Sequence, residues 1–216
     1  MDFVKLDDFL DDVLAEVPGC PIYTARDHVR RAAIEFCKQT GVSTHTTVDI
    51  DIDADEAVMT LPCPSVSVQS WQVLWLRVPE QGIVGPLARR SMVEHGLEWE
   101  GQTGNPPRGY VRLNRNEIQL VPTPDADESN AMSIHCSYIP QKDATYLDAI
   151  LMDEYREAIT SGALSRLLRM SKEDWYDRME AQERKEWFAI AMSEARALAD
   201  KDFQTGEQTV AMNPMA

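Results

Sequence analysis

The side chains able to do chemistry are few in this sequence, and they are scattered along it. Four histidines, His28, His45, His95 and His135, fall in different segments. No pair has the H-x-x-x-H or H-E-x-x-H spacing that sets two imidazoles on one helix face for a metal ion. The run Asp49, Asp51, Asp53, Asp55 and Glu56 comes nearest to a calcium loop. It lacks the central glycine and a bidentate glutamate at the right offset. It also alternates with Val48, Ile50 and Ile52, the mark of a strand with one solvated face. There is no G-x-S-x-G elbow, P-loop or G-x-G-x-x-G cradle, and Ser161-Gly162 falls mid-helix, where no strained turn exposes a hydroxyl. Trp71, Trp75, Trp99 and Tyr110 resemble a stacking platform for bases or sugars, with Trp71 and Trp75 pointing the same way on a regular strand. No cluster of basic residues accompanies them, so packing against helices is the reading preferred. The expectation is a chain without catalytic, cofactor-binding or metal-binding residues, hence not an enzyme.

The bulk properties narrow the class further. The chain has 216 residues, 44% hydrophobic and 26% charged, an ordinary composition for a soluble globular protein. No apolar run reaches the roughly 18 residues that a membrane span needs. The opening Met1-Asp2-Phe3-Val4-Lys5 lacks the basic-then-apolar order of a signal peptide, so synthesis and folding in a cytoplasm are expected. Cys20, Cys37, Cys63 and Cys136 are far apart and read as free, mostly buried thiols. A net charge of −15 argues against binding nucleic acid by neutralising phosphates, and favours DNA sliding past rather than sticking.

Three blocks must position whatever function there is. The first, residues 1–44, reads as two helices. Leu6, Phe9, Leu10, Val13 and Leu14 recur at helical spacing before Val17-Pro18-Gly19-Cys20-Pro21 stops the run. Thr24 with Asp27 then reads as a capping box for a helix with Val29, Ala32, Ala33, Phe36 and Cys37 on one face, ending near Gly41. Residues 45–144 change to period 2, with strands expected at 48–53, Ala57–Leu61, Val66–Val78, Tyr110–Leu113, Glu117–Val121 and Met132–Tyr138. Asn114-Arg115-Asn116 is a hairpin turn in which asparagine tolerates positive φ, and Ser91–Gly96 adds one helical turn. Frequent proline and glycine suit a small antiparallel sheet or sandwich.

Helical signal returns over 145–200. Thr145 with Asp148 caps one long amphipathic helix through Leu168, and Ser171 with Asp174 starts a last helix that runs to about Asp200. Gly162 inside the first of these costs roughly 1 kcal/mol of propensity, which close approach of a neighbouring backbone normally offsets. In the last helix Phe188, Ala191, Met192, Ala195 and Ala199 form one stripe, widened by Trp187, Ile190 and Leu198 beyond what a one-sided helix needs. Contact on two sides is implied, which makes Trp187, Phe188, Ile190, Met192 and Leu198 candidate subunit-interface residues. Residues 201–216 show no helical period, and Pro214 blocks a helix, so they read as an extension that orders on a partner.

Several segments in order resemble the head-to-tail adaptor (connector) proteins of tailed bacteriophages. They are DDFLDDVLAEVPGCP and VRRAAIEFCKQT near the start, and NPPRGYVRL, IQLVPTPDA and IHCSYIPQKDATYLD in the middle. MDEYREAITSGALSRLLRMSKEDWYD, continuing into WFAIAMSEARALADKDF, is the closest match. The resemblance implies an α+β fold, in which both ends of the chain form an antiparallel helical bundle, with a small antiparallel β domain inserted and a C-terminal tail. It implies a homo-oligomeric ring, typically of twelve copies, in the virion at the head–tail junction. The ring sits under a portal ring, above a downstream neck or tail protein, with DNA passing through without specific binding and no membrane involved. The tail would dock on the portal, with Phe203, Val210, Met212 and Met215 as candidate contacts. The closing VAMNPMA lacks the basic and aromatic residues often seen there. Two alternatives stay open: another neck or tail-completion protein, and a small hydrolase or ligand-binding module using the tryptophans and acids of the β region.

Overall fold

The computed structural model describes residues 1–79, 81–87 and 102–204, with side chains through Lys201. The chain is α+β, and the ladders of its four-stranded and three-stranded sheets are antiparallel. It divides into two compact units: Met1–Phe3 with Ser43–Asp148, and Val4–Val42 with the chain from Ala149 onward.

A short strand, β1 (Phe3–Lys5), leads into the helical unit's 3-10 turn, Leu6–Phe9, and then α1 (Leu10–Glu16). Leu6, Phe9, Leu10 and Val13 are buried, so the apolar spacing is used even though its first turn is wound more tightly. α2 (Ile22–Thr40) begins without the predicted capping box. Pro21 is the N-cap, its carbonyl accepting from the N–H groups of Thr24 (2.9 Å) and Ala25 (3.1 Å), so Thr24 lies inside the first turn. Proline fixes φ and has no N–H to leave unpaired, which suits it to a helix start. Gly41 ends the helix in the left-handed region at φ +70°, its N–H returned to the Cys37 carbonyl.

The long helix expected from residue 145 is broken. Tyr146–Asp148 is a strand, numbered β9 in chain order. α3 (Ala149–Asp153) and α4 (Arg156–Leu167) follow, separated at Tyr155, whose φ of −123° is not helical. The Tyr155 ring packs 4.9 Å from the Phe36 ring, and the chain turns where that contact is made. Asp148 accepts a 2.7 Å hydrogen bond from the Ser43 hydroxyl instead of capping a helix. The last helix, α5 (Arg178–Gln204), starts later and ends later than its sequence pattern indicates. Asp177 caps it: Oδ1 accepts from the N–H groups of Met179 (2.9 Å) and Glu180 (3.0 Å).

In the β unit, one sheet has the order β2 (Thr44–Ile52), β8 (Glu128–Pro140), β4 (Val68–Val78), β5 (Gly82–Val84). The other has the order β3 (Val58–Thr60), β7 (Glu117–Val121), β6 (Gly109–Arg112). Leu76, Ile134, Cys136 and Tyr138 of the first sheet share one core with Ile118, Leu120 and Tyr110 of the second. The β6–β7 hairpin turns through Asn114, but not by positive φ. Its Oδ1 accepts from the Asn116 N–H at 2.8 Å, a side chain standing in for a backbone turn. The alternation of β2 is interrupted by two register shifts, with Asp49 at φ +56°. Val48 is therefore 56% exposed, whereas Ile52 reaches the core. Ser91–Gly96 lies outside the described residues.

Candidate assembly surface

The packing of α5 begins with one glycine. A Cβ at Gly162 of α4 would lie 2.8 Å from the Phe188 ring and 3.0 Å from Cβ of Ala32 in α2, so the missing side chain is what admits the ring. The close approach inferred at this position is real, but a ring makes it rather than a backbone. Phe188 is only 3% exposed, and Ala181 and Ala195, seven residues either side, are buried with it. This narrow stripe, two turns per repeat, is what α5 buries within its own unit.

A second line of α5 residues faces an open groove of about 1110 Å³. Glu180, Arg184, Trp187, Ala191, Glu194 and Leu198 recur at alternating steps of four and three, and all six line it. The opposite walls come from Asp12 and Glu16 of α1 and from Glu154, Glu157, Ala158 and Leu164 at and within α4. Trp187 is 68% exposed and Leu198 55%, far above what a helix at rest in water requires. The two arginines of the groove are already engaged. Arg156 donates through Nε and Nη2 to both oxygens of Asp12 (2.5 and 3.0 Å), and these charge-assisted bonds hold its guanidinium above its usual range. Arg184 reaches Glu180 at 3.0 Å and Glu16 at 3.6 Å. Elsewhere in the unit Arg26 forks onto Asp7 (2.7 Å twice), and Arg166 pairs with Glu35.

Among the described residues, those with catalytic potential do not converge. Burial pushes the Cys136 thiol up to about 11, so it is protonated at neutral pH and a poor nucleophile. All four cysteines are free, and three are buried. His135 takes Thr46 Oγ1 at 2.8 Å from Nδ1 and stacks on Trp75 at 5.3 Å. Burial first, and the His45 charge after it, lower its pKa. Trp71 sits at one register shift, between Ser70 and Gln72, and a second falls between Val73 and Trp75; Trp71 lies instead under the Arg115 guanidinium at 5.3 Å. Tyr110 is in the core, and Trp99 and His95 lie outside the described residues. Asp49, Asp51, Asp53, Asp55 and Glu56 are all exposed, and Asp51 accepts from the Asn130 N–H at 2.8 Å. Among the described residues, no group of three or more His, Cys, Asp or Glu is placed to hold a metal ion. Nor is any described helix long and apolar enough to cross a membrane.

A family model described as the SU10 adaptor protein matches residues 4–215. The chain belongs to that family. The match runs through both structural units and agrees with the resemblance to head-to-tail adaptors carried by the sequence segments. No curated protein matches the chain.

Within this SU10 adaptor family member, the five candidate interface residues part ways. Phe188 is turned into its own unit and is not presented to a neighbour. Met192 is half-buried, and Trp187, Ile190 (52% exposed) and Leu198 face outward. Phe203 falls inside α5, because the helix continues to Gln204 where the sequence shows no helical period. Val210, Met212 and Met215 lie outside the described residues. The groove itself went unread in the sequence. Its signal was the four-three spacing through Glu180, Arg184, Trp187, Ala191, Glu194 and Leu198, masked because three of the six are charged, two glutamates and an arginine.

Proposed function

We propose that this adaptor is a structural, non-enzymatic component of a tailed phage virion, assembled as a ring of twelve copies between a portal ring and a downstream neck or tail protein. The observation that carries this reading is the family match over residues 4–215. Supporting it, the chain's described histidines, thiols and acids are dispersed, while four of its exposed large apolar side chains, Met179, Trp187, Ile190 and Leu198, stand on the one helix α5. In this reading both ends of the chain form an antiparallel helical bundle (residues 1–44 and 145–200), with residues 45–144 as an inserted β domain. Neighbouring copies meet through a heterologous contact at Ile190 and Met192 of α5. Residues 201–216 dock on the portal, through Phe203, Val210, Met212 and Met215. The net charge of −15 suits a channel wall along which DNA moves without binding. Synthesis takes place in the bacterial host cytoplasm.

Removing residues 205–216 from the tagged chain is the direct test. Loss of portal co-purification with helical circular dichroism unchanged is the expected outcome, and Phe203→Ala alone weakens docking in the same direction. Undiminished capture of the portal by the shortened chain counts against the docking arm. Capture of a tail tube in place of the portal makes the protein a tail-completion or neck component instead.

A further inference from the structure

We propose that the groove alongside α5 is a docking site for an amphipathic, basic helix supplied by a different protein chain. The proposal rests on the adaptor reading only in taking α5 as an assembly surface, and it names the chemistry of one partner.

The shape argues for a helix. Six residues of α5 line the groove at alternating spacings of four and three. That periodicity presents a seam to a second helix running alongside, as in coiled-coil packing. From Glu180 to Leu198 the seam is about 27 Å long at 1.5 Å per residue, room for a partner of about five turns. Trp187 beside Ala191 forms a large residue next to a small one, so a partner side chain can sit over Ala191 against the indole. Trp and other large aromatics in such positions carry much of the energy of interfaces.

Charge argues for a basic partner. Glu154 and Glu157 stand on one wall, and Glu183 and Glu194 on the α5 wall. None of these four has an ion pair among the described residues, because Arg156 and Arg184 are committed to Asp12, Glu16 and Glu180. The groove is thus an apolar floor between two unneutralised acidic rims. Lysine or arginine flanking an apolar seam complements it, in the helix-in-groove mode of recognition. A second copy of this chain, itself at −15, does not bring that complement.

The test uses the full chain and three labelled synthetic helices, read by fluorescence anisotropy. The first carries leucine at seam positions and lysine at the flanks, the second has the same composition scrambled, and the third has glutamate in place of lysine. The first peptide is expected to bind saturably, and both others at least about tenfold more weakly. Ala191→Trp fills the groove without changing charge, and Glu154→Lys with Glu157→Lys reverses one rim. Each is expected to cut affinity for the first peptide by about tenfold or more. Equal binding of the scrambled peptide overturns the proposal, since charge alone then suffices. So does unaltered binding by both variants in folded protein. A change in the mass of the isolated chain caused by Ala191→Trp also overturns it, by making a second copy the occupant. Portal co-purification is scored separately: a chain that docks on the portal but ignores all three peptides loses the groove and keeps the adaptor role.

Discussion

The helical unit and the β unit treat their apolar side chains differently. Among the described residues of the β unit, the exposed large apolar residues fall singly on different segments: Val48 on β2, Val58 on β3, Val66 in a loop, Ile83 on β5, Tyr146 on β9. Single exposed residues of this kind are normal on any protein. In the helical unit four of them, Met179, Trp187, Ile190 and Leu198, stand on α5 alone. The cause is the narrow stripe of Ala181, Phe188 and Ala195, which satisfies the unit's own packing and leaves the remaining faces uncommitted. A two-sheet core absorbs both inner faces at once, but a helix packed along one stripe retains surface for something else. The contrast teaches where assembly contacts belong on this chain.

Four measurements break or sharpen that contrast. Phe36→Ala should have the largest effect. Its ring is fully buried between Tyr155 (4.9 Å) and Phe188 (6.0 Å), so truncation is expected to cost about 3–5 kcal/mol in denaturant unfolding followed by helical circular dichroism. A loss below about 1 kcal/mol would mean that the helical unit is not held by this cluster.

Gly162→Ala comes next. The new methyl gains up to about 1 kcal/mol of helix propensity. It also meets the Phe188 ring at 2.8 Å, and overpacking of this kind costs about 1–3 kcal/mol. Net destabilisation is expected, with Phe188→Leu on the same background restoring part of it. A more stable Gly162→Ala protein would show that the ring gives way freely.

In the β unit, Ser43→Ala removes the donor to the buried Asp148 carboxylate, for an expected loss of about 1–3 kcal/mol in the same assay. The measurement tests whether this unit depends on a polar contact where the helical unit depends on a ring. Ser43→Thr keeps the hydroxyl and should retain more stability than Ser43→Ala.

The smallest effect is a shared pH response. His28 in the helical unit and His135 in the β unit both have pKa values lowered from 6.5, chiefly by burial, with Arg31 next for His28. A base whose folded pKa is depressed binds fewer protons folded than unfolded, so stability rises with pH and is lost as pH falls through and below 6.5. Unfolding midpoints measured from pH 7.5 down to pH 5 should fall, and His28→Gln and His135→Gln should each flatten part of that slope. A midpoint independent of pH in that window would remove the effect of burial at both sites.

Much of the fold was legible because it depended on local pattern. β7 lies where alternation places it, Glu117–Val121, and α2 stops at Gly41, where only a residue at ease with positive φ ends a helix so tightly. Four of the five apolar residues of the first helix, Leu6, Phe9, Leu10 and Val13, are buried as their spacing requires, and Leu14 is half-buried. Legibility failed where a distant residue competed with a local signal. Thr24, Thr145 and Ser171 are each followed three residues later by aspartate, the capping-box spacing, yet none caps a helix. Pro21 and Asp177 perform that role for α2 and α5, and Asp148 is held by Ser43 instead. The alternation of Val48, Ile50 and Ile52 along β2 could not reveal register shifts, since a bulge depends on the partner strand as well as on the strand that carries it. Phe188 read as an interface residue because a stripe of apolar residues does not say which of its members a neighbouring helix will take.

The sequence by itself determined that helices and strands alternate in blocks, that no metal or nucleophile motif is present, and that the last helix has more apolar surface than one side needs. It also carried the segments that place the chain among adaptor proteins. Only the tertiary structure decided which apolar residues α5 keeps inside and which it leaves out. That division is set by Gly162, some 26 residues before Phe188, making room for a ring. The acidic groove was likewise decided in three dimensions, because α1 and α4 bring to α5 carboxylates that are remote from it in sequence. Periodicity reports a helix's own faces, whereas charge across a groove is a property of the elements that converge on it.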